Sequence, residues 1–286
     1  MSDTNTARAG ALAFLQNLAT EVSQGTVDLP CFPHVVARVS QALMDPDATS
    51  EQVVAIVGTE PRLAARLLQM ANSAAFHVAG KTVTELRSAI TRVGQRMVQS
   101  VAMSYAIQHM QQEESLRSIA APLTDLWETS IAVASICQLV AERTKVHTDV
   151  AFLTGLLHGI GRLYIMARAA GGAFERDAPG DWLEMVSGWQ ASVGKAVLES
   201  WGFDETLCDA VAEQRDYERR WKHDAGLTDV LIVSVVLADA LKSCERGAVV
   251  MDGIHAFASV GFSETDCQAT LVRAERRIDA VRAALK

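Results

Sequence analysis

Apolar residues recur at intervals of three and four along almost the whole chain, and this periodicity constrains the fold more than any other feature of the sequence. Leu12, Leu15, Leu18 and Val22 form one stripe, Val35, Val36, Val39 and Leu43 a second, and Leu63, Leu67 and Leu68 a third. With few β-branched alternations and six prolines, there is little room for strands. The fold class is therefore all-α, a compact multi-helix domain with two helical lobes meeting near Gln111 to Pro122. At 286 residues, 49% hydrophobic and 21% charged, the chain can bury a full core and lies far from the composition of disorder.

Local punctuation places the helices. The first runs over about Thr6 to Val22 and ends at Gly25; the turn Leu29-Pro30-Cys31-Phe32-Pro33 launches the second, which Asp45-Pro46-Asp47 stops. Thr49 and Gln52 have capping-box spacing before a short helix, Glu51 to Val57. Thr59 before Pro61 starts another, and Thr84 a further one that Gly94 breaks or caps, with a second helix running on to about Met110. The polar stretch Gln111 to Ser118 is a connection. A long helix follows Pro122 and reaches roughly Arg143; Thr148 or Asp149 caps the next, which carries Leu153, Leu156, Leu157, Ile160 and Leu163. Ala170 to Gly180, with three glycines and a proline, is a loop and the best internal boundary. Helices are then expected near Asp181 to Trp201, Glu205 to Arg220, Thr228 to Ser243 and Ser263 to Leu285.

A net charge of -8 gives no global attraction to phosphate backbones or anionic lipid, so nucleic-acid and membrane partners are disfavoured. The five cysteines are odd in number, widely spaced and free of CxxC pairing, as reduced thiols in a cytoplasmic protein would be. Met1 to Gly10 is polar and lacks the pattern of a signal peptide. The most apolar stretch, Val150 to Ala170, is interrupted by His158, Arg162, Arg168 and three glycines, which marks a buried helical region rather than a membrane span.

Three stretches together carry a family likeness: Leu29-Pro-Cys-Phe-Pro33, the run from Glu60-Pro-Arg-Leu to Met-Ala-Asn-Ser73, and Gly155-Leu-Leu-His-Gly-Ile-Gly161. With Ala89-Ile-Thr-Arg-Val-Gly94 and Leu126-Trp127 at the right intervals, the chain resembles the HDOD family over roughly Leu29 to Tyr217. The resemblance implies an HDOD domain over 29–225, preceded by an N-terminal helical extension (1–28) and followed by C-terminal helices packing on the core (226–286). HDOD domains are related to HD-type phosphohydrolases, in which a His, a His-Asp pair and a later Asp hold divalent metal and activate water. Such a site needs about three protein donors plus water.

Carried over residue by residue, the position of the first His falls at or beside Thr129, the pair becomes His158-Gly159, and the later Asp survives as Asp239. Further histidine positions become Gln190 and Glu213-Gln214. The resemblance therefore implies a remnant pocket of Thr129, His158, Gln190, Glu213, Gln214 and Asp239, with no catalytic residue, cofactor or metal expected. Without the family, His158 among Leu156, Leu157 and Ile160 is first of all a hydrogen-bonded core histidine. Asp239, in an apolar run, must be paired or protonated if buried. A hydrogen bond between His158 and Asp239 would satisfy both. Asn72-Ser73 is expected to stop a helix through local backbone bonds. Of the five tryptophans, at least three are expected to pack in the core or between lobes.

No GxSxG, GxxxxGK[ST] or GxGxxG occurs. The resemblance implies a bacterial regulator that contacts another signalling protein of a two-component, chemotaxis or cyclic-dinucleotide pathway, with a homodimer left open. A sensor that keeps the pocket for a nucleotide or cyclic dinucleotide ranks second, and a residual metal-dependent phosphohydrolase third.

Overall fold

The structure of the chain is a computed structural model that describes residues 29–45, 47–73, 82–170, 181–219, 224–243 and 249–285, with Phe14, Gln16, Asn17, Thr20 and Glu21. Among these residues it is built of helices and turns without strands, so the chain is all-α. The helices are α1 (His34–Met44), α2 (Ser50–Gly58), α3 (Pro61–Ala71), α4 (Leu86–Val93) and α5 (Gln95–Gln112), then α6 (Ala120–Ala141), α7 (Thr148–Leu157) and α8 (Ile160–Ala169). After these come α9 (Asp181–Ser200), α10 (Glu205–Ala212), α11 (Leu227–Lys242), α12 (His255–Ser259) and α13 (Glu264–Leu285). A 3₁₀ turn, Glu114–Ile119, occupies the expected connection between α5 and α6.

Helix α6 is the axis of the molecule. It packs along α7, α11 and α13, while α5 lies on α7, α8 on α9, and α10 on α11. Its buried side chains, among them Leu123, Trp127, Ile131, Ile136 and Val140, point all around it, as befits a helix enclosed by neighbours. The apolar segment Thr148–Ala169 is long enough to span a bilayer, but 83% of its window is buried inside the protein. It is a core helical segment, interrupted at His158-Gly159. The four described cysteines are free; burial pushes the Cys137 thiol up to about 12, where it is inert.

Two glycines set how closely this core closes. A Cβ on Gly155 would lie 2.6 Å from Ala134 Cα, so α7 meets the backbone of α6 directly. A Cβ on Gly161 would lie 1.9 Å from the Gln190 carbonyl oxygen and 2.5 Å from Gly194 N, fixing α8 on α9. Neither obstacle is a flexible side-chain end, so neither position has room for a methyl group.

Several helix boundaries differ from expectation for local reasons. Thr49 and Gln52 form both halves of the capping box, at 3.3 and 2.8 Å. Thr59, however, ends α2, and Glu60 caps α3 by accepting from Arg62 N. His147 rather than Thr148 or Asp149 caps α7, its Nδ1 accepting from Asp149 N at 3.3 Å. The helix expected to Arg220 ends at Ala212, where Glu213 begins a series of turns. Helix α12 went unread. The first helix and the loop Ala170 to Gly180 lie almost wholly outside the described residues.

The Leu29-Pro33 motif is a tight turn. Phe32 N donates to Leu29 O at 3.1 Å and Cys31 takes a φ of 60°, the left-handed conformation of the third residue of a type II turn, with Pro30 in second place. Phe32 then stacks on Trp201, ring centroids 4.7 Å apart. Asn72 does stop α3, and it does more. Its Nδ2 donates to Leu68 O and to Val83 O, and its Oδ1 accepts from Val83 N, all at 2.8 Å. One side chain thus ties the end of α3 to the strand-like entry of α4. Trp127 is buried and Trp201 packs on Phe32; Trp189 is 44% exposed, while the side chains of Trp182 and Trp221 lie outside the described set.

Replacing Gly161 with alanine is expected to destabilise the fold by about 3 kcal/mol or more, because backbone must move to admit the methyl. Asn72→Asp, which abolishes both donated bonds, should cost about 1–3 kcal/mol. Urea unfolding of the two variants beside the parent checks both values.

Candidate functional site

The interruption between α7 and α8 is where side chains from five helical segments meet. His158 ends α7 and Gly159 opens α8, so Arg162 lies one turn further along the same wall. From α6 come Leu126, Thr129 and Val133, at spacings of three and four that share a face. Helix α9 supplies Gln190; the turn after α10 supplies Gln214 and Arg215; α11 supplies Val235, Asp239 and Lys242. Together they enclose a cavity of about 100 Å³.

Of the six residues expected in a remnant pocket, Thr129, His158, Gln190, Gln214 and Asp239 line this cavity. Glu213 does not. Its carboxylate turns to Arg219, 2.8 Å away, because the turn after α10 sends successive side chains in different directions. Gln214 is buried and committed: its Nε2 donates to His158 O at 2.9 Å and Val211 O at 2.8 Å, holding the α7–α8 break against α10.

The expected hydrogen bond between His158 and Asp239 is not formed. His158 Nδ1 lies 2.7 Å from Gly155 O, and since a carbonyl only accepts, Nδ1 carries the proton and donates. That bond stays within the last turn of α7, so the ring's orientation is set without Asp239. The neutral ring then presents an unprotonated Nε2. Burial pushes the imidazole down to about 4; the Gly155 carbonyl opposes the shift, while Arg215, Lys242 and Arg162 add to it. Asp239 is exposed on its outer side rather than buried in the core. Desolvation by the pocket wall still raises its carboxyl above the ordinary value, against the pull of Arg215 and Lys242.

The position matching the family's first His is chemically occupied. Thr129 Oγ1 donates to Asp125 O at 2.7 Å and accepts from the Lys242 ammonium, which also pairs with Asp125 at 3.1 Å. Gly159 supplies no carboxylate, and a Cβ placed there would lie 2.6 Å from Leu126 Cδ1. Among the cavity's lining side chains, only His158 and Asp239 carry groups that commonly ligate metal, and no cluster of three such residues occurs among the described residues. Arg162, Arg215 and Lys242 line the cavity with Asp239, so even with Asp125 counted the surroundings are net positive. The set does not fit a divalent cation, which wants about three anionic or neutral donors.

Sequence reasoning missed Arg162 and Lys242 and passed over Arg215. A usable signal existed: Arg162 follows His158 by four residues and Lys242 follows Asp239 by three, the helical spacings that share a face.

The depressed His158 fixes the sign of a pH effect. Between 6.5 and about 4 the unfolded chain binds a proton that the folded ring refuses. Its contribution to stability is therefore fully present above 6.5 and lost as pH falls towards 4, by about 3 kcal/mol from this ring. His158→Asn should flatten that part of the profile, as urea titrations across the window would register.

Known proteins share this architecture. A protein from Shewanella amazonensis, described as a candidate metal-dependent phosphohydrolase, superposes with a TM-score of 0.66 at 22% identity, covering 95% of this chain and all of that one. A Geobacter sulfurreducens HDOD domain protein gives 0.59 at 24% identity over 94% and 96% of the two chains. A candidate signal transduction protein from Marinobacter aquaeolei gives 0.63 at 19%, over 97% of this chain and 65% of its own. An uncharacterised Treponema pallidum protein is 22% identical over 205 residues, 68% of this chain but 39% of that relative, so the chain spans well under half of its length. The HDOD domain family itself matches residues 29–217, the stretch from the Leu29 turn through every wall of the cavity except α11, and the chain belongs to the HDOD family.

Proposed function

We propose that this chain is a non-catalytic regulatory protein that works through contacts with another signalling protein, its pocket having exchanged metal ligands for fixed positive charge. The observation that carries this reading is Lys242: its ammonium is bonded to Thr129 and Asp125, at the position matching the family's first histidine. A built-in cation there opposes the entry of a divalent one by Coulomb repulsion, and the missing side chain at Gly159 removes the carboxylate that would offset it. The fold shared with a candidate signal transduction protein supports a regulatory role.

A route from pocket to surface supports the choice of protein contacts. Trp189, 44% exposed on α9, is the neighbour of Gln190 in the cavity wall, and exposed tryptophan is enriched at the energetic centres of interfaces. The partner would belong to a two-component, chemotaxis or cyclic-dinucleotide pathway in the cytoplasm of a bacterium, with self-association as the other arrangement.

Elemental analysis after incubation with manganese, iron, magnesium or zinc and thorough desalting tests the reading. The expected result is metal far below one ion per chain and no hydrolysis of a generic phosphodiester. Near-stoichiometric metal that disappears in His158→Ala or Asp239→Ala would overturn it and put metal-dependent phosphohydrolysis in its place.

A further inference from the structure

A cavity that repels cations has the electrostatics to receive an anion. Most ionic side chains here have partners: Arg87 pairs with Glu51, Lys195 with Asp209, Arg273 with Glu142 and Arg282 with Glu128. Among the described residues, the side chains of Arg162 and Arg215 make no hydrogen bond or ion pair, although both residues border the cavity with Lys242. Arg162 is half-buried and Arg215 is exposed at the cavity's rim; an arginine without a side-chain partner in such a place suits a phosphate, since its planar fork can donate two parallel hydrogen bonds to one oxyanion.

The surroundings narrow the ligand. The cavity of about 100 Å³ has room for a single tetrahedral oxyanion rather than a polyphosphate. It shares Arg215 and Asp239 with a wider cleft of about 920 Å³, whose wall includes Tyr217 and Ile254 and also the carboxylates of Asp216, Glu218 and Asp252. Positive charge inside and negative charge outside would repel a second phosphate from the cleft. They favour instead an organic group rich in hydroxyl or amino donors, with Tyr217 and Ile254 offering apolar surface.

We propose that the two spaces form one binding site for a phosphomonoester: the phosphate in the inner cavity on Arg162, Arg215 and Lys242, its donor-rich organic portion in the outer cleft, and no metal between them. The site rests on the reading above, in which positive side chains have replaced the metal, and it supplies the input that such a regulator needs. The ligand would close the gap between the α8 wall (Arg162) and the turn after α10 (Arg215), adjoining Gln190 on the helix that carries Trp189.

The probes are inorganic phosphate, adenosine monophosphate and adenosine, each titrated calorimetrically into the full chain with EDTA present throughout and then with magnesium in its place. The expected result is that the monophosphate binds in EDTA, inorganic phosphate binds more weakly and adenosine does not bind. Arg162→Gln and Arg215→Gln should each weaken the monophosphate by about tenfold or more, while Lys145→Gln, on a surface pair with Asp224, leaves it unchanged. Circular dichroism would confirm that the variants fold. No binding of either phosphate in EDTA or magnesium, or affinity that survives the double arginine replacement, overturns the site and leaves the regulatory reading standing. Binding that appears only with magnesium overturns both.

Discussion

The approach of Gly161 to the Gln190 carbonyl is the contact on which the cavity depends. It brings α8 onto α9 at a distance that no side chain at position 161 would permit. The packing of Gly155 on Ala134 does the same for α7 on α6. Between these two tight points the chain breaks at His158-Gly159, and the break leaves a cavity instead of a continuous helix. Gln214 braces it from the third side through the His158 carbonyl. A core packed to crystalline density transmits such constraints with little slack, so the cavity's shape follows from backbone contacts rather than from whatever occupies it.

That separation of shape from chemistry explains how the family's architecture can persist while its ligand set changes. The helices around the cavity carry three cations, a threonine engaged at both its donor and its acceptor, and a histidine oriented by its own helix. Lys242 lies three residues beyond Asp239, so one face of α11 offers the retained carboxylate and the ammonium that sets its surroundings. We read this as a pocket turned from coordinating metal to recognising charge, in keeping with the regulatory role proposed.

Much of the fold was legible because its signals are local. The period-3.6 stripes gave the helices, Thr49 with Gln52 gave a capping box that both bonds realise, and Gly94, at a φ of 84°, ended α4. Boundaries set by competition between neighbouring polar groups were not legible: Thr59 and Glu60 are both able to cap, but Thr59 turns its hydroxyl back to the Ile56 carbonyl and Glu60 accepts from Arg62 N. Asn72 was readable as a helix stop but not as a clamp, because Val83 lies eleven residues away and only the folded chain brings it near. The same division holds for the site. Family motifs located His158, Asp239 and Thr129, whereas the turn that separates Glu213 from Gln214 and the convergence of Arg162, Arg215 and Lys242 are tertiary facts. The proposed His158–Asp239 bond failed for a related reason, since a carbonyl one turn back was the nearer partner.

The position of Leu126 bears on how reversible this change would be. Its Cδ1 stands 2.6 Å from where a side chain at Gly159 would begin, and its neighbour three residues on, Thr129, is held by Lys242. Restoring a carboxylate at 159 would require Leu126 to yield, and restoring an imidazole at 129 would displace an ammonium already bonded there. The first needs only the flexible end of Leu126 to turn aside, whereas the second costs Lys242 one of its partners, and residues in such direct contact are expected to be non-additive. On the regulatory reading proposed above, the paired lysine rather than the hydrocarbon is what would oppose a return of metal-binding chemistry. Selection on such a chain would then act on whatever the reshaped pocket now recognises.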